Sequence, residues 1–222
     1  MNRLELLDKV YNEYHREEYI YPDPLSPVLS YKNADDREVA AVIASSLALG
    51  RVDLILKAVN SVLLPLGSHP ASELDSLSVS DLREIYHDFV YRFFKTDEIT
   101  GFLYAIKVIR GDRGSLQALF TSNYTQGKGI TSGITALSNE IARISEGKSA
   151  MLLPSPEKGS ACKRVNLFLR WMVRHDNIDP GGWSDINTCD LLVPVDTHMY
   201  DIAKRLRFTS RKTADFKTAV EI

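Results

Sequence analysis

The chain has 222 residues, 44% of them apolar and 25% charged, with a formal net charge of −2. These are globular proportions, sufficient for one sizeable core and too apolar for long-range disorder. Two cysteines, Cys162 and Cys189, exclude a disulfide framework and fall short of the four thiolates of an iron–sulfur cluster, and they suit a reducing, cytoplasmic setting.

Charges are scattered through Met1–Ile20 without an apolar h-region, and the most apolar run, Val39–Leu49, is too short to cross a bilayer. Neither a signal peptide nor a membrane partner is expected. The net charge hides an asymmetry. From Lys158 to Lys217 there are eleven lysines and arginines against seven aspartates, a local basicity suited to a surface that meets phosphates.

Helical spacing of Leu4, Leu7, Val10, Tyr11 and Tyr14 predicts a first helix over Leu4–Glu18. The prolines of Tyr21–Pro27 predict an extended arm. Asp35 or Asp36 then caps a helix that runs through Glu38–Leu49 and stops at Gly50; being apolar on nearly every side, it belongs in the core. Further helices are predicted over Val52–Leu64, Ser80–Phe94 and Asp97–Arg110, followed by a turn at Gly111–Gly114 and a short element at Leu116–Phe120. Ser122–Gly133 is polar and reads as a loop. The stripe Ile134, Leu137, Ile141 and Ile144 restarts a helix, Pro154–Gly159 breaks it, and Ser160–His175 forms another. No run alternates as a strand does, so the fold class is all-α. The chain divides within a single structural domain, 1–222, into a helix and arm (1–34), a helical bundle (35–150) and a C-terminal region (151–222).

Two patterns carry potential chemistry. In the first, Gly159-Ser160-Ala161-Cys162-Lys163-Arg164-Val165-Asn166, Lys163 stands in the first turn of its helix. There the helix dipole and the neighbouring cations disfavour another positive charge, and a lysine nucleophile attacks only as the neutral amine. Helical spacing sets Lys163, Asn166, Arg170 and Arg174 on one face, opposite Val165, Phe168, Leu169 and Met172, with Trp171 at the border. In the second, Val195-Asp196-Thr197-His198, Asp196 sits in a turn before a short helix ending near Arg207, where a carboxylate takes backbone N–H bonds and stays ionised. Read singly, Lys163 is a solvated surface lysine and Asp196 a plain helix cap.

Taken together and in this order, the two patterns resemble helix-hairpin-helix DNA glycosylases of the endonuclease-three type. Gly159, Lys163, Asn166 and Leu169 match the hairpin and its following helix, and Val195 through His198 match the later segment with the catalytic aspartate. The long spacer ending in Leu191-Leu192-Val193-Pro194-Val195-Asp196 is closest to archaeal 8-oxoguanine glycosylases. Nearly the whole chain, through Tyr21–Pro24, Leu49-Gly50-Arg51, Lys163–Arg174 and Val193–His198, also resembles an uncharacterised bacterial family of conserved hypothetical proteins, a domain of unknown function.

The glycosylase resemblance implies two helical subdomains flanking a cleft, and double-stranded DNA with a damaged, for instance oxidised, base as partner. Asp196 would stabilise charge developing on the sugar, and Lys163 would attack C1′ to give a Schiff base and abasic-site lyase activity. The target nucleotide would be flipped from the stack. Arg51, Asn166, Arg170, Trp171, Arg174 and His198 are the candidate DNA and substrate contacts. Arg51 would fill the gap left by the flipped base, or else is a surface arginine at a helix start. Phe168 is assigned to the core, while Trp171 is open to either role. No cofactor and no catalytic metal are expected, since His87, His175 and His198 lack ligand spacing. Ala161 replaces the second hairpin glycine of the resembling pattern, and members of that pattern continue past the position of Ile222. A helical nucleic-acid-binding or protein-interaction module that keeps the fold without catalysis is the alternative.

Overall fold

The computed structural model describes residues 2–124 and 129–222. Among them the fold is mostly helical, with one two-stranded hairpin. Its centre is α2 (Ala34–Ser46), which is buried without interruption from Val39 to Ser46, as its all-round apolar surface demands. The side chain of Asn33, not Asp35 or Asp36, caps this helix by accepting the N–H groups of both aspartates. The helix ends four residues before Gly50, which lies at φ 113 beyond it.

Helices α3 (Val52–Leu63), α4 (Pro70–Ser76) and α9 (Lys163–Val173) pack against α2, α6 (Thr96–Arg113) packs against α4, and all share one hydrophobic core. Next to α6 lie α7 (Leu116–Asn123) and α8 (Gly129–Ile144). At Gly133 of α8 a Cβ would meet the Phe120 ring at 2.5 Å, so this glycine permits the close approach of α7 and α8. The predicted loop over Ser122–Gly133 is thereby shortened from both sides, and its middle, 125–128, lies outside the described residues. Likewise α6 runs through the predicted Gly111–Gly114 turn and ends at Gly114, φ 85.

The predicted helix over Ser80–Phe94 is corrected. α5 (Val79–Ile85) stops early, and β1 (Val90–Tyr91) pairs with β2 (Phe94–Lys95) in an antiparallel hairpin. Thr96 is the reason: its hydroxyl donates to the carbonyls of Tyr86 and His87 at 3.0 and 2.8 Å, taking the acceptors that a longer helix would use.

α1 (Arg3–Tyr14) starts with a capping box between Asn2 and Glu5 but buries none of its residues; the stripe Leu4, Leu7, Val10, Tyr11 and Tyr14 is exposed. Arg3 donates to the Leu206 carbonyl at 2.8 Å, and His15 Nε2 lies 3.2 Å from Asp176, so polar contacts tie this helix to the C-terminal region. The proline segment is folded in rather than extended: Pro24 and Leu25 are buried, and a 3-10 turn follows at Val28–Ser30.

A lysine–aspartate cleft between two helix starts

A cavity of about 510 Å³ opens between Leu49-Gly50, the start of α9 and the start of α10 (Thr197–Arg205). Cys162 sets the direction of α9. It takes the left-handed conformation, φ 52, and its buried thiol donates to the Pro154 carbonyl at 3.2 Å. Burial pushes this thiol up to about 11, so it is a packing group and not a nucleophile. Arg164 anchors the same turn from beneath. Its guanidinium donates to the carbonyls of Ser46 and Met151 and lies over the Phe94 ring.

Between these two fixed residues, Lys163 projects into the cavity. Its Nζ stands 3.0 Å from Asp196 Oδ2, and each side chain keeps 36% of its surface exposed. Asp196 is the N-cap of α10, where its Oδ1 accepts the Met199 N–H at 2.9 Å. Burial works to raise this carboxyl, but the Met199 amide, the Lys163 ammonium and His198 outweigh it and hold it below the usual carboxylate range. The amine and the acid therefore face one groove, half exposed and within reach of a common ligand.

The remaining candidates are distributed more widely. His198 is exposed and lines the same cavity. Arg51 is exposed beside Gly50 and makes a bidentate contact with Asp53. Asn166 is not on the open face. It is 1% exposed, and its amide braces the Ala161 carbonyl at 3.3 Å. Trp171 is buried, as is Phe168, but Trp171 edges a second pocket together with Arg170. Arg170 and Arg174 both close on the buried Asp179, at 3.1 and 3.2 Å.

The expected hairpin is reduced to a single 3-10 turn, Pro156–Lys158, capped by Ser155 and left through Gly159 at φ 75. With alanine at 161, the Ser160 hydroxyl caps the Cys162 N–H at 3.1 Å, and Ser160 bridges Asp215 ahead of α11 (Phe216–Glu221).

Much of the local basicity is neutralised internally, since Lys163, Arg170, Arg174 and Arg211 all have acidic partners. Lys158, Arg205, Arg207, Lys212 and Lys217 are exposed. Among the described residues no cluster of three His, Cys, Asp or Glu side chains converges on a metal position, and no helix is long and apolar enough to cross a membrane.

Spacing alone pointed to none of Asp23, Asp179 or Gly50 as a neighbour of the site. Asp23 and Asp179 come from turns far apart in the chain, and only the fold brings them beside α9.

These features define a mostly helical protein with an ion-paired lysine and aspartate at adjoining helix starts of one cleft. The chain belongs to an uncharacterised family, DUF2400, described as a protein of unknown function, whose profile matches residues 23–222. No curated protein and no solved structure matches it.

Proposed function

We propose that the protein is a DNA glycosylase with abasic-site lyase activity, built as two helical subdomains on a helix-hairpin-helix-like plan. The observation that carries the reading is the Lys163–Asp196 pair, 3.0 Å apart and open to one cavity, at the two positions where the sequence resembles base-excision glycosylases. A flipped nucleotide would place its sugar between the two groups.

The chemistry then follows from the two side chains. Asp196, kept ionised, stabilises positive charge on the sugar as the C1′–N bond weakens. The Lys163 ammonium first gives up a proton to water, and the amine then attacks C1′; the departing base leaves with the bond's electron pair and takes up the second proton lost by the nitrogen. The nitrogen lone pair then opens the sugar ring, O4′ gains a proton from water, and a protonated Schiff base remains. Exposed cations of the C-terminal region, among them Arg205, Arg207 and Lys212, meet the phosphates on either side.

Borohydride trapping on a duplex with one abasic site tests this reading. A covalent adduct is expected with the native protein and its loss with Lys163→Gln. Absence of an adduct from the native protein, on abasic DNA and on a panel of oxidised, deaminated and alkylated bases, overturns it.

A second reading is favoured by one observation: Ala161 stands where a hairpin glycine would let amides approach a phosphate. On that reading Lys163 and Asp196 are a structural clasp in a non-catalytic nucleic-acid-binding or interaction module. DNA binding without trapping would distinguish it.

A further inference from the structure

The cleft at Lys163 has a neighbour. Along the same helix, one turn beyond Lys163, a second cavity of about 200 Å³ opens against Leu167 and Arg170. Its outer wall is aromatic: Tyr14 and Tyr19 stand with ring centroids 5.5 Å apart and tilted by 48°. Its inner end is acidic. Asp179 is fully buried, and although Oδ2 is held by Arg170 and Arg174, among the described residues its Oδ1 has no hydrogen-bond partner. Buried acceptors are nearly always satisfied, so this one points to a donor that comes from outside the chain.

Asp23 lines the second cavity, where its Oδ1 accepts the Leu25 N–H at 2.8 Å; among the described residues no donor reaches Oδ2. The residue is exposed by area, yet its surroundings are crowded enough that burial lifts its carboxyl, against the pull of the Leu25 amide and of both Arg170 and Lys163. Leu167, on the wall of the second cavity, lies four residues along α9 from Lys163. Four residues of helix rise about 6 Å, comparable with the reach from a nucleotide's C1′ to the far edge of its base.

We propose that this second cavity receives the extruded base of the nucleotide whose sugar lies at Lys163, and that Asp23 and Asp179 select a flat heterocycle with N–H donors on its outer edge. The inference rests on the glycosylase reading and adds the recognition chemistry to it. Tyr14 and Tyr19 supply a stacking surface that is indifferent to base identity. The two acceptors supply the choice, because a base without edge donors leaves them unpaired. The aromatic wall precedes the stretch matched by the family profile, whereas both acids lie within it.

A donor-deletion series tests this. Lys163→Gln protein, unable to form a Schiff base, is titrated with labelled duplexes carrying guanine, hypoxanthine, 2-aminopurine or unsubstituted purine at one position opposite a tetrahydrofuran spacer. The spacer leaves every test base equally unpaired. Affinity should fall as donors are removed, by about tenfold from guanine to purine. Adding Asp23→Asn, which keeps the turn bond to Leu25 through its amide oxygen, should compress the series to within about twofold. Adding Tyr14→Leu should weaken all four duplexes alike. A flat series in the Lys163→Gln protein overturns the proposal, as does a graded series that Asp23→Asn leaves intact. Borohydride trapping by the native protein scores the glycosylase reading separately, so a flat series beside successful trapping removes the recognition proposal alone.

Discussion

Glu38 of α2 accepts a hydrogen bond from the Trp183 indole at 2.9 Å while holding the first amides of α7, those of Leu116 and Gln117, at 3.0 and 3.1 Å. One buried carboxylate thus pins the central helix, the start of α7 and the loop after α9. Burial raises its pKa against the two amides, the indole and Arg110. Removing the acceptor strands three buried donors. Glu38→Ala should cost about 3 kcal/mol and lower Tm by roughly 6–12 °C. Thermal melts read the loss, and Glu38→Gln, which keeps one acceptor oxygen, should lie between it and the native protein.

Asp196 combines two tasks that substitution can separate. Asp196→Ser keeps an oxygen for the Met199 amide, so stability should change by only a few tenths of a kcal/mol, whereas Asp196→Ala loses the cap and about 1 kcal/mol. Both remove the partner of Lys163. On the proposed lyase reading, single-turnover strand cleavage should therefore fall about 100-fold or more in each. If Asp196→Ser cleaves like the native protein, the acid has only a capping role.

Acid sensitivity should come partly from Asp176. Burial acts to raise its carboxyl, but the amides of Asp179 and Ile178 and the Arg174 guanidinium outweigh it and hold it at about 2, against an ordinary 3.8. A depressed acid contributes stability above its unfolded pKa and loses it as pH falls toward the folded one. Melts between pH 5 and pH 2 should thus show a decline over roughly pH 4 to 2. Asp176→Asn should flatten that limb, and an unchanged limb would assign it to other groups, such as Asp215, which Arg211 and Thr213 also hold low.

Gly50 forms one lip of the cleft at φ 113, and a Cβ there would lie 2.7 Å from the Arg92 guanidinium. The guanidinium can move aside, but the backbone conformation cannot be relieved. Gly50→Ala should cost at least about 1 kcal/mol. Chemical denaturation measures it, and a neutral result would mean that the lip relaxes to an ordinary conformation.

Sequence periodicity located α2, α3, α6 and α9 because each buries a face or the whole helix, and burial is what apolar spacing encodes. It failed at α5 and the hairpin, where a hydroxyl from Thr96 decides the helix end and leaves no trace in hydrophobic pattern. On α1 the apolar stripe produced the helix but not a buried face. At the cleft, Lys163 and Asp196 were legible from their motifs. Asn166 was placed on the open face by counting residues, yet its short amide turns inward to Ala161. Asp23 appeared only within the Tyr21–Pro24 motif and Asp179 in no motif, because separate turns bring the two beside α9.

The two oxygens of Asp196 are not interchangeable. With Oδ1 tied to the Met199 amide and Oδ2 turned to Lys163, the carboxylate cannot rotate freely about its bond to the chain. Its alignment is settled when α10 forms, before any ligand arrives, so a guest that parts the amine from the acid meets a negative atom already aimed, with little left to reorganise. Folding of the last third of the chain and readiness of the cleft are, through this one side chain, the same event.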